Sequence, residues 1–460
     1  MFKIEYTKKS NMEQNVKLTT TSSNSTTTTT IPRVLKGFRD ALPCAEIARE
    51  RLIAKIKKTF SLYGYAPIDT PCLEYEEILL SKSGGETEKQ IYAFTDNGGR
   101  RIALRFDLTV PFARFVAEHV HKEIELPFKR YHIGKVWRGE KSQAGRYREF
   151  YQCDIDEVGS TSASSDAEII NAIASALLAI GVDNFKVHIS HRALLQDLTS
   201  KLGYKDKCTD ILRILDKMPK IGKDAVHEQL LGLSVSEDDV NDFILFASFK
   251  QDASILKDIS NITSSFKKGI NESAIQRLCD IYSLLNENIK PHVVLDFSIT
   301  RGLDYYTGFV FETFITGSEN TGSISSGGRY DDLTSHFIKE KISGVGGSIG
   351  LDRLLSIISA SGQQNTGTAD VYVVSKDGSV PDSKLIQGLR DNGIRTDVAF
   401  ESVKNNKAYR YAELNLIPFI LFVSESGYYL KNIATREEEK VESQSDMIKK
   451  IKSQLVNNEV

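Results

Sequence analysis

Residues Tyr131 to Glu157 read YHIGKVWRGEKSQAGRYREFYQCDIDE, two runs of alternating apolar and polar residues around a charged middle. Alternation with period two places one side of each run in a core and the other outside it, so the stretch is predicted to be a long antiparallel hairpin. The first run ends at Trp137 and the second resumes at Phe150; between them stand Arg138, Glu140, Lys141, Arg146 and Arg148, with Gly139 and Gly145. Such a tip is too charged to be core. A planar guanidinium at its base can grip an anion at two points, and a carboxylate beside it can accept from an exocyclic amine. The same residues also suit a solvated tip laced with surface ion pairs.

A hairpin of this length needs a sheet to join, and 460 residues are enough for roughly two or three domains with cores of their own. A hydrophobic content of 40% and a charged content of 26% are ordinary globular values. The net charge of −2 gives no global basic field, so any nucleic-acid surface must be local. Cys44, Cys72, Cys153, Cys208 and Cys279 are odd in number and form no CxxC pair, which argues for a reducing compartment and against a disulfide framework or zinc ribbon. No apolar run approaches the ~20 residues of a membrane span. Thr19 to Thr30 contains only Thr, Ser and Asn. Such a tract cannot bury enough apolar surface to offset its ordering entropy, so about the first 30 residues are predicted to be a disordered tail. Lys3, Lys8, Lys9 and Lys17 make the tail basic, but it holds Glu5 and Glu13 and no arginine. A cytoplasmic protein is therefore expected, with mitochondrial import through the tail as the alternative.

The apolar positions Ile47, Leu52, Ile53, Ile56 and Phe60 predict an amphipathic helix from Cys44 to Tyr63, stopped by Gly64, with Lys55, Lys57 and Lys58 outside. A short strand, Tyr65 to Thr70, and a loop with Gly84-Gly85 leading into Tyr92-Ala93-Phe94 follow. The run RIALRFDLTVPFAR, Arg101 to Arg114, starts as a strand and turns helical near Pro111. Asp107 and Thr109 share one face if that segment is extended and can hold an ammonium group; they can equally cap the helix. Ala163 to Gly181 reads as a helix closed by glycine. From about Phe185 to Lys290 helical patterns dominate, and this part reads as a helical insertion. His188 and His191 within it fall on opposite faces of a strand-like run, which argues against a metal site.

Charged turns return after Leu295. DFSITRGLDYYTGFVFE sets Arg301 and the pair Tyr305 and Tyr306 before a strong strand, a pattern suited to a binding cleft or to a tyrosine-rich edge strand. SSGGRYD, Ser325 to Asp331, reads as a glycine-rich turn that lets a ligand approach or simply bends the chain. GVGGSIGLDRLL reads as a small-residue strand into a helix with Asp352 and Arg353 in its first turn, where a phosphate can meet the helix start and the guanidinium. Neither GxxxxGK[ST] nor GxGxxG is present. From about residue 366 strands and helices alternate, predicting a small α/β domain with a mostly parallel sheet.

In this order WRGEKSQAGRYREFYQCDID, RGLDYYTG, GGRYD and GLDRLL resemble the histidyl-tRNA synthetase family, the first and last being similar to motifs 2 and 3 of class II aminoacyl-tRNA synthetases. The resemblance spans about Pro32 to the C-terminus. It implies an α+β fold: a class II synthetase-like antiparallel sheet flanked by helices with a helical insertion, then a C-terminal anticodon-binding α/β domain, in a homodimer. It implies a ligase that uses ATP with Mg2+ to activate L-histidine and then charges tRNA(His), with no resident transition metal. By position, Arg138 would hold the α-phosphate and the histidine carboxylate, Glu140 and Phe150 the adenine, and Arg146 and Arg353 the γ-phosphate end. Asp107, Thr109 and Gln152 would take the α-amino group; Asp156 and Tyr306 would read the imidazole in a pocket lined by Tyr305 and Tyr330. Arg301 would stabilise the α-phosphate, and Lys141 to Gly145 would meet the acceptor end of the tRNA. The alternative on the same fold is a non-catalytic histidine- or tRNA-sensing regulator.

Overall fold

The computed structural model describes residues 30–80, 88–140, 146–266, 268–299, 306–360, 367–376 and 382–456. The hairpin forms as a pair of strands, β5 (Phe128–Trp137) and β6 (Glu149–Val158), antiparallel in register from Phe128↔Val158 to Trp137↔Glu149. It lies within a nine-stranded sheet. The order runs from β1 (Ala66–Pro67) through β5, β6, β12 (Gly344–Gly350), β11 (Ser325–Tyr330), β10 (Phe309–Ile315), β7 (Phe185–His191) and β9 (Val293–Asp296) to β8 (Lys250–Asp252). Only β1 with β5 and β7 with β9 pair in parallel; the other neighbours are antiparallel. A small sheet of β2 (Leu73–Tyr75), β4 (Arg101–Leu104) and β3 (Tyr92–Thr95) stands beside the start of helix α2 (Thr109–His119).

The period of two divides the large sheet into unlike faces. On one face Cys153, Ile155, Val345, Ile349, Phe309, Phe311, Val187 and Ile189 are buried in one apolar cluster. Helices α1 (Pro43–Leu62), α3 (Ala163–Ala179) and α4 (Glu272–Ser283) complete that cluster with Leu52, Ile56 and Phe60, with Ile169, Ile170 and Ile173, and with Ile275, Leu278 and Ile281. Each large side chain moved from water into it contributes about 1.5–3 kcal/mol. Interleaved on the opposite face stand Arg130, His132, Gln152, Asp154, Asp156, Ser348, Ser326 and Glu312, joined across strands by the pairs His132↔Asp154, Asp154↔Ser348, Ser348↔Ser326 and Ser326↔Glu312.

Three segments differ from the reading of the sequence. Phe185–His191, assigned above to the helical insertion, is a strand inside the sheet; its Phe185, Val187 and Ile189 alternate into the core, and the helices begin at Arg192. Ser325–Tyr330 is a strand, not a turn. Its glycines serve close packing: a Cβ on Gly327 would meet Gly346 O at 2.2 Å and Phe311 Cε1 at 2.5 Å. Helix α2 starts at Thr109, two residues before Pro111, because the Asp107 carboxylate accepts from the free amides of Thr109 (3.2 Å) and Val110 (3.0 Å). The tail, residues 1–29, lies outside the described residues.

The C-terminal domain holds a five-stranded sheet in the order β14 (Thr396–Val398), β13 (Val371–Ser375), β15 (Phe419–Ser424), β16 (Gly427–Asn432), β17 (Glu438–Val441). β13 pairs in parallel with β14 and with β15, but the last strands form antiparallel hairpins, so the sheet is mixed where the sequence was read as mostly parallel. Among the described residues no helix is long and apolar enough to cross a membrane.

A Cβ at Gly347 would meet Ile173 Cδ1 at 2.5 Å and Phe311 Cζ at 2.7 Å on the core face. Gly347→Ala is therefore expected to lower stability by about 1–3 kcal/mol, read as a fall in the urea midpoint.

Candidate active site

The polar face opens into two adjoining cavities. The first, of about 150 Å³, is lined by Asp107 and Thr109 from the start of α2, by Arg138, by Gln152, Asp154 and Asp156 from β6, and by Tyr306 and Tyr330. The second, of about 230 Å³, is lined by Arg138, Glu140, Arg146, Phe150 and Arg353, together with Ser323 to Ser326. Arg138, Gln152, Ser326 and Ser348 line both. The hairpin thus supplies wall to each cavity, and the strand-to-helix turn at Leu351 delivers Arg353 to the second. Of the residues to which the resemblance gives ligand roles, Arg301, Tyr305 and the loop Lys141 to Gly145 lie outside the described residues; the others line one cavity or both.

Arg138, one residue beyond β5, is fixed by its amide, which donates to Arg148 O at 2.9 Å, and by aromatic contact. Its Nε donates to Phe106 O at 3.1 Å, and its guanidinium lies 4.4 Å from the Phe106 ring centroid and 5.3 Å from that of Phe150. Arg353 donates to Ser323 O. Its burial, with the like charge of Arg146 next, holds the guanidinium pKa below its ordinary value. Among the described residues neither Arg138 nor Arg353 has a carboxylate at ion-pair distance, whereas Arg146 reaches Glu140 at 3.4 Å. Cations held together without counter-charge favour a polyanion between them. Asp352, in contrast, is taken up by the scaffold: it accepts from Arg39 and from the Tyr151 amide at 2.7 Å.

The first cavity is rich in buried carboxylates. Tyr330 donates to Asp156 Oδ1 at 2.6 Å, and Arg130, fully buried, lies 2.7 Å from Asp156 Oδ2. Burial pushes Asp156 up to about 7, with Asp154 and Asp107 adding to the shift and Arg130 opposing it. Burial likewise pushes Asp154 up to about 6 and raises Asp107. His132, behind them, is driven down to about 3 by burial and by Arg130 and Arg105, so it is neutral. Among the described residues no group of His, Cys, Asp and Glu is arranged to hold a metal ion.

Comparison with known proteins identifies the family. A family described as Histidyl-tRNA synthetase matches residues 37–354. The chain belongs to the histidyl-tRNA synthetase family. A second family, Anticodon binding domain, matches residues 370–454. A histidine–tRNA ligase of Treponema denticola is 48% identical over 403 residues, covering 86% of this chain and 90% of its own. One from Rhodopirellula baltica is 43% identical over 426 residues, covering 89% of this chain and 95% of its own. The crystal structure of the histidyl-tRNA synthetase of Nostoc sp. PCC 7120 superposes with a TM-score of 0.78 at 29% identity, covering 92% of this chain and 99% of that one.

Two residues of this synthetase escaped the reading of its sequence. Asp154 lies between Gln152 and Asp156 at the same two-residue spacing, a signal that was available. Arg130 stands one residue before the run from Tyr131, and nothing local marks it as buried.

The raised Asp156 has a testable sign. Between the ordinary aspartate value of 3.8 and about 7 the folded protein holds a proton that the unfolded chain has released. Stability of the ligand-free protein therefore falls as pH rises through that window, by up to about 1.4 kcal/mol per pH unit from this group. Urea midpoints measured across the window should decline less in Asp156→Asn than in the wild type; equal slopes would mean that Asp156 is ionised throughout.

Proposed function

We propose that this synthetase catalyses histidine activation and transfer. A carboxylate oxygen of L-histidine attacks the α-phosphorus of ATP, the bond to pyrophosphate breaks, and histidyl-adenylate forms. A ribose hydroxyl at the 3′ end of tRNA(His) then attacks the acyl carbon and releases AMP. The observation that carries this reading is Arg138 standing where a carboxylate-lined cavity meets an arginine-lined one. A guanidinium there can hold the histidine carboxylate and the α-phosphate together while charge builds on the phosphoryl oxygens. Preorganised cations supply the largest part of such catalysis, and no side-chain nucleophile is needed.

The remaining roles follow from position. Glu140 would accept from the adenine amine and Phe150 stack on the ring; Arg146 and Arg353 would take the γ-phosphate end, and Arg301 would stabilise the α-phosphate. Asp107, Thr109 and Gln152 would bind the α-amino group, with Asp156, Tyr306, Tyr305 and Tyr330 around the imidazole. An azole read by a carboxylate and a phenol is discriminated strongly, since an analogue leaves buried polar groups unpaired. Mg2+ would enter as the counter-ion of ATP, neutralising phosphate charge. The loop Lys141 to Gly145 would meet the acceptor end of the tRNA and the C-terminal domain its anticodon, in a homodimer. Arg138 and Arg353, which among the described residues have no carboxylate at ion-pair distance, favour an enzyme over the alternative of a non-catalytic histidine- or tRNA-sensing regulator, which has no use for a triphosphate grip.

The test is histidine-dependent exchange of pyrophosphate into ATP, with the other amino acids as controls. Arg138→Ala and Arg353→Ala should each lower the exchange rate by about a hundred- to a thousandfold while leaving the urea midpoint unchanged. Exchange that is absent in the wild type, or supported equally by other amino acids, would refute the function.

A further inference from the structure

The amino end of the first cavity holds one more carboxylate than the assignment above uses. Asp107 is half committed, since its Oδ1 accepts from two amides of α2. Gln152 is anchored through Nε2, which donates to Ser348 Oγ at 3.0 Å. That leaves Gln152 Oε1 as an acceptor, and among the described residues this atom has no hydrogen-bond partner. Asp154 is the next residue on the same face of β6, only 2% exposed, and its Oδ1 likewise has no hydrogen-bond partner among the described residues. Both line the cavity beside Thr109 and Arg138. Two buried, unpartnered acceptors two residues apart on one strand face are costly unless a donor completes them.

We infer that Asp154 is a substrate-binding residue, its Oδ1 joining Gln152 Oε1 and Asp107 as the seat of the α-ammonium group of the amino-acid substrate. Three carboxylates, Asp107, Asp154 and Asp156, here share their surroundings with two guanidiniums, Arg130 and Arg138, so a cationic guest balances the cluster. An amino acid places its carboxylate on Arg138 and its ammonium on the acceptors next to it. Asp154 thus makes the site select for a protonated amine, not merely for an imidazole. The inference rests on the proposed histidine site, and the experiment separates the two.

Binding of L-histidine, L-histidinol and imidazolepropionate, and of ATP, is measured by calorimetry for the wild type, Asp154→Asn and Asp154→Ser. Histidinol keeps the amine without the carboxylate; imidazolepropionate keeps the carboxylate without the amine. Both variants should bind histidine and histidinol about ten- to a hundredfold more weakly, as loss of a charge-assisted hydrogen bond requires, while imidazolepropionate and ATP bind as before. Unchanged imidazolepropionate binding also certifies that the pocket is folded. Equal weakening of all three imidazoles, or of none, would overturn the role of Asp154. A wild type that binds no histidine would instead overturn the histidine site itself, and this inference with it.

Discussion

Arg130 is among the largest side chains in the molecule to be wholly buried, and the site is built on it. Its guanidinium lies 2.7 Å from Asp156, donates to Leu108 O at 3.0 Å and stacks 4.5 Å from the Phe112 ring. One cation therefore ties β5 to β6, which carries Asp154 and Asp156, and to the start of α2, beside Asp107. A buried ion pair adds little net stability, because desolvation of both charges offsets their attraction. Its effect is on geometry. Once Asp156 is ionised, removing either partner would strand a charge in the interior, so the arrangement that keeps them together is strongly enforced. Asp156 is then held on both sides, by Arg130 and by Tyr330, with little freedom left to lose when a ligand arrives.

The second requirement is room. Rings and carboxylates can crowd the polar face only because the strands opposite them lack side chains. A Cβ on Gly346 would lie 2.0 Å from Asp156 Oδ1, one on Gly344 would lie 2.3 Å from Tyr330 Cε2, and one on Gly328 would lie 3.0 Å from Tyr306 Cδ1. Glycine weakens an isolated strand through its entropy, but β11 and β12 are interior strands with a paired neighbour on each side. Ladder pairing and the helices packed beneath supply the stability that the residues themselves do not. Loss of local propensity is thus exchanged for space around the ligand, with the cost carried by the opposite face of the same sheet.

That exchange explains how much was legible in the sequence. The hairpin β5–β6, helices α1 and α3 and the strand-to-helix step at Leu351 announced themselves, since each has an apolar face of regular period and a cap or glycine at its end. Ser325–Tyr330 did not, because a strand stripped of side chains for packing looks like a turn. Phe185–His191 was hidden by the helices that follow it. Among site residues, the charged tip and the arginines stood out, having no structural reason to be apolar neighbours. Asp107 carried two equally good readings, cap and ligand; the structure shows the cap and also places its carboxylate in the cavity wall. Arg130 and Asp154 were passed over because burial of a charge depends on partners far away in the chain, which no local pattern records.

The two cavities also divide the electrostatic work. Carboxylates dominate the first and guanidiniums the second, so each alone would be self-repelling: Asp154 and Asp107 push Asp156 up, and Arg146 helps to hold Arg353 down. Arg138 sits on the border and belongs to both. On the proposed assignment a cationic amine on one side and a polyphosphate on the other would relieve both repulsions, and each guest would make the border more favourable for the other. Their reacting groups, a carboxylate and an α-phosphate, are themselves both anionic and resist approach in water. On the proposed assignment they would meet at Arg138, which lines both compartments, where opposite charge is most needed as the new bond forms. Selectivity and catalysis here are consequences of a single arrangement of charge, not of separate devices.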